Sequence, residues 1–308
     1  MNKSVAVLMS TYNGEKYIRE QIDSVLVQKN VDISLIVRDD SSKDGTTSIL
    51  KEYEKAGKLR LLTGINMGVG NSFMELLYQS PDADYYAFCD QDDIWLQNKM
   101  EVAITKLEKL ETKAPGLYIS NQTLVNEDGK KIKTRYQTEP KHKLENVIFA
   151  NYIAGCTMVM NQNLRNILIQ QKHRPSQEFL ELRIHDVWVM LVANLSGKII
   201  YDKNSYILYR QHQNNVVGAK SMALHEKLHD KYKRMVTKKY KKARSKTAIE
   251  LQRCFEGEIS QKDKEILTLF QHANSIRGVY NIMNHPKLKK AILGNKVIFV
   301  MKSLTGWI

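Results

Sequence analysis

The sequence predicts an α/β protein, built on an open, mostly parallel sheet with helices on both faces and followed by a helical extension. Three observations predict it. Short apolar runs alternate with amphipathic helical patterns through the first 110 residues, as in successive βαβ units. Polar loops rich in Asp, Asn and Gly follow each apolar run, at the strand ends where such sheets bind ligands. The charge then changes along the chain: residues 1–219 carry 27 basic and 26 acidic side chains, 220–246 carry 11 and 2, and 247–308 carry 9 and 5. That break places a sheet domain at 1–219 and a basic helical region at 220–308.

The elements follow in order. Val5 to Met9 reads as the first strand, the loop Ser10-Thr11-Tyr12-Asn13-Gly14 follows, and Ile18, Ile22, Val25 and Leu26 mark one face of a helix. Ile33 to Val37 is the second strand, and it ends at Arg38-Asp39-Asp40-Ser41-Ser42. The turn Lys43-Asp44-Gly45 leads into a helix carrying Ile49, Leu50 and Tyr53. Leu59 to Leu62 is the third strand, before the loop Asn66 to Asn71 and a helix with Phe73, Leu76 and Leu77. Tyr85 to Cys89 is the fourth. Beyond residue 110 the pattern loosens: short strands at Leu117–Ile119 and Thr123–Val125, a hairpin turn near Asn126 to Gly129, and a small-residue stretch from Ile153 to Thr157. His185-Asp186-Val187-Trp188 opens a helix that stops at Gly197, and strands are expected near Ile199–Tyr201 and Ile207–Tyr209. From about residue 220 the pattern is helical.

Asp90, Asp92 and Asp93 stand together just past the fourth apolar run. Carboxylates that close repel one another, and a bound cation resolves the repulsion. Oxygen ligands shared with phosphate and water suit magnesium or manganese. The competing reading is a solvated acidic turn whose last Asp caps the next helix. Asp186 likewise reads either as a helix cap or as a functional acid. Neither a Gly-x-x-x-x-Gly-Lys-Ser/Thr phosphate loop nor a Gly-x-Gly-x-x-Gly after the first strand is present, which argues against P-loop and dinucleotide enzymes.

Composition narrows the field further. The sequence shows no signal-type apolar segment and no run of 18 apolar residues, so neither a cleaved signal nor a membrane span is expected. Cys89, Cys156 and Cys254 lack metal-type or Cys-x-x-Cys spacing and read as reduced packing residues of a cytoplasmic protein. The pI near 9.4 suggests nucleic acid as a partner. The balanced first 219 residues and their clustered Asp argue against it. Basic stretches with apolar interleaving, Lys227 to Arg244 and Leu288 to Ile308, suit an anionic membrane surface instead. Helices beyond residue 247 carrying Ile266, Leu267, Leu269, Phe270, Ile276 and Val279 could pack on the sheet domain or form a homodimer.

The loops, taken in order, resemble the family 2 glycosyltransferases of the GT-A fold over about residues 4–218. The resemblance rests on Ser10 to Gly14, Arg38 to Thr46, Asn66-x-Gly68, Asp90-Gln91-Asp92-Asp93-Ile94-Trp95, His185-Asp186 and Tyr209-Arg210-Gln211-His212. The run from His185 through Gly218, including Asn215-Val216, is most similar to rhamnosyltransferase-like enzymes of streptococcal polysaccharide synthesis. Such a resemblance implies an inverting, metal-dependent transfer of one sugar from a nucleoside-diphosphate sugar to a saccharide acceptor, with dTDP-rhamnose the first donor and a UDP-hexose the alternative. Residues 1–110 would form the nucleotide-sugar half and 111–219 the acceptor half. Asp90, Asp92 and His212 are implied as holders of Mn2+ or Mg2+, and Asp186 as the catalytic base. Ser10, Tyr12, Asp39, Asp40, Asn66, Gly68, Asp90 and Arg210 are implied as the donor-binding set. His185 stands where many members carry an acidic residue. The absence of Gln-x-x-Arg-Trp sets processive synthases aside. A lipid-linked oligosaccharide acceptor and a peripheral place on the inner face of the cell membrane complete the expectation. A nucleotidyltransferase and a catalytically silent docking subunit are the remaining rivals.

Overall fold

The computed structural model describes residues 2–111, 114–212, 241–292 and 296–306. In chain order the strands and helices to residue 210 are β1 Lys3–Thr11, α1 Ile18–Leu26, β2 Val31–Asp39, α2 Thr46–Lys55, β3 Arg60–Thr63, α3 Val69–Gln79, β4 Tyr85–Cys89, β5 Ile94–Trp95, α4 Lys99–Leu107, β6 Gly116–Val125, β7 Lys131–Thr134, α5 Leu144–Phe149, β8 Val159–Asn161, α6 Gln162–Leu168, α7 Gln177–Ser196 and β9 Lys198–Arg210. Five further helices follow: α8 Ala243–Cys254, α9 Gln261–Gln271, α10 Ile276–Asn284, α11 Pro286–Ala291 and α12 Lys296–Leu304.

These elements group into two compact units that interleave in sequence. The first takes residues up to 140, 153–170 and 196–212; the second takes 141–152, 171–195 and the helices from 243 onward. The first is a nine-stranded sheet ordered β3-β2-β1-β4-β8-β6-β9-β5, with β7 paired to β6. β1 to β4 pair in parallel, as the βαβ pattern requires. β8 then runs antiparallel to both β4 and β6, so purely parallel pairing ends where the helix-and-strand alternation does. The central strand β1 is buried from Val5 through Met9 and β4 along its whole length. That continuous apolar character belongs to strands covered on both faces. Around them Ile18, Ile22 and Val25 of α1, Leu50 of α2 and Met100 of α4 complete one core.

Two expectations change in detail. The two short strands at 117–125 are one continuous strand, and so are those at 199–209, because β6 and β9 pair with each other along their lengths. The hairpin at 126–130 is present, closed by Asn126 and Lys130. A helix opens at His185 as expected; Ile184, with φ 49° and ψ 172°, is non-helical and divides α7 into a segment from Gln177, which the sequence did not mark, and the helix that His185 begins.

The second unit packs aromatic side chains at its centre. Trp188 lies between Phe179 and Phe255, with ring centroids 5.2 and 6.3 Å away. Phe149 meets Phe270 edge-on at 5.0 Å. Each such fully buried side chain contributes about 1.5–3 kcal/mol. No helix among the described residues is long and apolar enough to cross a membrane. The basic stretch at 220–240, with Leu224, Leu228, Tyr232, Met235 and Tyr240, and the Asn215, Val216 and Gly218 positions lie outside the described residues. So do Leu293, Trp307 and Ile308.

Candidate active site

The carboxyl ends of β1, β2 and β4 bring three of the sequence-predicted loops together. Gln91 ties two of them. Its Oε1 accepts from the Tyr12 backbone N–H at 2.8 Å and its Nε2 donates to the Tyr12 carbonyl at 3.0 Å, so its amide copies a strand pairing. Gly14 permits the approach, since a Cβ there would fall 2.4 Å from Gln91 Oε1. The Tyr12 side chain is half-exposed (47%), free to meet a flat ligand. Ser10 donates to Ser72 Oγ at 2.7 Å, which pins the loop start to α3.

Asp39 and Asp40 are both buried and both satisfied from within. Asp39 accepts from Thr11 Oγ1 (3.0 Å), Ser42 N (3.0 Å), Ser42 Oγ (2.5 Å) and Thr47 Oγ1 (3.2 Å). Asp40 pairs with Arg38 and accepts the backbone N–H groups of Met67 and Gly68 at 3.0–3.2 Å. Gly68 reaches that position with φ 79°, a conformation that L side chains rarely adopt, although a Cβ would meet nothing. Asn66 accepts from the same Gly68 N–H at 3.1 Å. Ser41 stands at φ 68°, a strained backbone for a residue other than Gly. Arg38 carries no signal in periodicity, and its part in holding Asp40 comes only from the fold.

The loop after β4 is different. Asp93 is 1% exposed; its Oδ1 accepts the Arg210 N–H at 3.1 Å, and its Oδ2 has no hydrogen-bond partner among the described residues. It does not cap a helix, because β5 intervenes and α4 starts only at Lys99. Burial first, and Asp92 second, push the Asp90 carboxyl up to about 7. The same two causes, with Asp90 added, raise Asp93 well above the carboxylate range. Ligand atoms of Asp90, Asp93 and Cys156 all lie within 4.8 Å of one another. Asp92 points to another neighbour: His212 Nε2 lies 2.7 Å from its Oδ2, and the His212 ring stacks on Tyr17 at 5.0 Å. Below the loop Lys99 is buried, its Nζ 3.6 Å from the Trp95 ring centroid and without a hydrogen-bond partner. Burial pushes it down to about 8.

Two carboxylates with raised proton affinity and one orphaned buried oxygen fit a divalent cation, whose charge would take the place of the protons that burial favours. Cys156 is an addition that the sequence did not mark. Its spacing to Asp90 carries no motif, and the nearness arises from β8 running beside β4. All three cysteines are free and buried.

Arg210 is engaged inside the fold. It donates to the Asp92 carbonyl (3.0 Å), the Glu127 carbonyl and Glu20 Oε2 (2.6 Å), and its guanidinium lies over Tyr17. It thus braces the acidic loop and β9 against α1. The sequence marked neither Glu20 nor Tyr17 for this part. Asp186 belongs to the second unit, two residues past the break at Ile184, where its Oδ1 accepts the Val187 N–H at 2.6 Å. Neighbouring His185 is buried, and burial pushes it down to about 3. The first unit therefore assembles Ser10, Tyr12, Asp39, Asp40, Asn66, Gly68, Asp90, Asp92, Arg210 and His212, and the proposed base lies in the second.

The family described as glycosyl transferase family 2 matches residues 6–168. Over 225 residues the chain is 32% identical to dTDP-rhamnosyl transferase RfbG of Shigella flexneri, covering 68% of this chain and 74% of that protein. It is 31% identical over 165 residues to the UDP-Glc:alpha-D-GlcNAc-diphosphoundecaprenol beta-1,3-glucosyltransferase WfgD of Escherichia coli, covering 53% and 62%. Among solved structures, TarS residues 1–349 of S. aureus in complex with UDP-GlcNAc superposes with a TM-score of 0.59 at 15% identity, covering 100% of this chain and 84% of that one. That likeness is one of fold.

Proposed function

The chain belongs to glycosyl transferase family 2 and is a glycosyltransferase, and from that premise we propose that it transfers one sugar, with inversion, from a nucleoside-diphosphate donor to a saccharide acceptor. The observation that carries the reading is the acidic floor of Asp90 and Asp93, with one Asp93 oxygen unanswered among the described residues, set beside the loops of Tyr12, Asp40 and the Asn66–Gly68 turn at one edge of the sheet.

In this reading Tyr12, Asp39 and Asp40 with their loops hold the nucleoside. Asp90 and Asp92, with His212, would hold Mn2+ or Mg2+, and Asp93 and Cys156 lie close enough to Asp90 to join them. A cation there supplies positive charge against the departing diphosphate. Asp186 takes the proton from the acceptor hydroxyl as that oxygen attacks the anomeric carbon. The likeness to RfbG favours dTDP-rhamnose as donor. The names of WfgD and of the TarS complex favour a UDP-hexose as the second reading.

WfgD acts on a diphosphoundecaprenol-linked sugar by its name, which supports a lipid-linked acceptor here, and with it a peripheral place on an anionic membrane. The helical unit has features that suit such a surface. After Glu265 the sequence holds six basic residues and no acidic one. Ile276 (79% exposed) and Tyr280 (67%) lie one turn apart on α10, and Met301 (63%) stands on α12, which packs on α10.

A panel of nucleotide sugars tests the proposal by thermal shift and by slow hydrolysis, with and without manganese, on the wild type and on Asp92→Ala. Stabilisation by one nucleotide class that requires both manganese and Asp92 is the expected result and names the donor. No metal-dependent response to any nucleotide sugar would sink the reading.

A further inference from the structure

Two arginines of the second unit gather at one helix end. Arg183, the last residue before the break at Ile184, donates Nη2 to the carbonyls of Val147 (2.7 Å) and Ile148 (3.1 Å). Arg244, in α8, turns Nε and Nη2 toward the next carbonyl, that of Phe149, at 3.4 and 3.3 Å. Its guanidinium lies over the rings of Phe149 (4.6 Å) and Phe299 (5.6 Å). Three successive carbonyls at the end of α5 thus collect two guanidinium groups.

The carbonyls do not complete the arrangement. Arg183 Nε and Arg244 Nη1 are buried and have no hydrogen-bond partner among the described residues. Among the described residues neither arginine forms an ion pair with a carboxylate. Burial pushes Arg183 down to about 10 and Arg244 to about 9, and Arg183 itself adds to the depression of Arg244. Asp186 attracts Arg183, and the phenol of Tyr152 attracts Arg244. Among the described residues, with Asp186 counted, the group keeps one net positive charge. Leaving two buried donors unanswered is costly.

We propose that Arg183 and Arg244 form an anion site for a phosphate or diphosphate group carried by the acceptor, beside Asp186. Forked guanidinium donors match phosphate oxygens in pairs, and an aromatic bed favours the planar cation in that role. Asp186 lies near enough to Arg183 to attract it, and with Asp186 as the base a phosphate held beside it belongs to the acceptor. The assignment to the acceptor rests on the transferase reading; the anion site itself does not.

The test uses the full chain in EDTA, so that no cation draws phosphate to the acidic loops. Inorganic pyrophosphate and geranyl diphosphate are titrated by thermal shift at constant ionic strength against wild type, Arg183→Gln and Arg244→Lys. Saturable stabilisation of the wild type is expected, with the half-effect concentration raised about tenfold or more in Arg183→Gln and raised less in Arg244→Lys, which keeps the charge and loses the fork. Tighter binding of geranyl diphosphate than of pyrophosphate marks a lipid-linked source, and equal binding marks phosphate alone. Identical titrations in wild type and both variants, or no saturable shift in the wild type, overturn the proposal. Should Arg183→Gln melt without ligand at a temperature that prevents titration, Arg183→Lys takes its place. Without nucleotide sugar or metal in the experiment, a negative result removes this site alone, and failure of the manganese panel removes the transferase reading alone.

Discussion

Two acidic loops end two parallel strands on either side of β1, and they solve the same electrostatic problem in different ways. After β2, Asp39 has four donors from Thr11, Ser42 and Thr47, and Asp40 has Arg38 and two backbone amides. After β4, Asp93 has one backbone donor and an orphaned oxygen, and Asp90 is driven toward neutrality. A carboxylate pair that brings its own cation and amides is finished by folding and can present a rigid edge to a ligand. One that lacks them is finished only by something from outside. Residue type and strand end are the same in both; the difference is what the fold places around them.

The sharpest way to break the comparison is at Asp92. Asp92→Asn is expected to lower turnover by about 10²–10³-fold, as removal of a preorganised electrostatic group does, with the unfolding free energy nearly unchanged. Steady-state rates with manganese beside a urea titration read both, and full turnover would show that the β4 loop does not hold the cation. Next is Asp40→Asn, which leaves Arg38 buried without its counter-charge and is expected to cost about 3–5 kcal/mol in urea unfolding. Asp93→Asn should cost far less in metal-free protein, since it removes a charge with an orphaned oxygen. Equal losses at the two positions would erase the distinction between the loops.

A third prediction concerns pH. The Asp90 carboxyl stands near 7 in the fold and near 3.9 when unfolded. The fold thus binds the proton more tightly. Its contribution to stability is complete below about pH 4 and is lost as pH rises through about 7. His185, pushed down to about 3, has the opposite sign: its contribution is complete above about pH 6.5 and is lost as pH falls toward 3. Between about pH 4 and 6.5 the two oppose each other, so thermal melts in EDTA should show the Asp90 loss chiefly above about pH 6.5; manganese should oppose it, and Asp90→Asn should remove it. A profile unchanged by Asp90→Asn would contradict the assignment. The smallest effect is at Gln91, which joins the Tyr12 loop to the acidic loop. Gln91→Ala removes two hydrogen bonds worth about 1 kcal/mol each, and the loss should appear in the unfolding free energy before it appears in turnover.

The first 110 residues were readable because each strand and helix there carries its own period. Val5 to Met9 and Tyr85 to Cys89 are buried strands whose apolar runs are unbroken, Ile33 to Val37 is broken only at the exposed Ser34, and Ile18, Ile22 and Val25 repeat at helical spacing. The later strands were split in two by the sequence reading, because Ser120-Asn121-Gln122 in β6 and Lys203-Asn204-Ser205 in β9 interrupt the apolar pattern. In the structure the β6–β9 ladder shifts register around those residues and continues, so the pairing partner supplied what the local pattern lacked. Asp93 was open to a helix-cap reading for the same reason: nothing in four residues reveals the two-residue strand β5 that separates it from α4.

By itself, then, the sequence determined the α/β class, the order of the loops, and which of them carry acid, amide and glycine, since those follow from periodicity and from what each residue type can do. Only the tertiary structure decided that Asp40 is answered by Arg38 and the Met67–Gly68 amides, that Cys156 stands beside Asp90 and Asp93, and that Arg183 and Arg244 meet at the end of α5. Each of those contacts except Arg38 with Asp40 joins residues far apart in the chain. Whether a buried charge finds a partner depends on the three-dimensional neighbourhood, which no local pattern encodes.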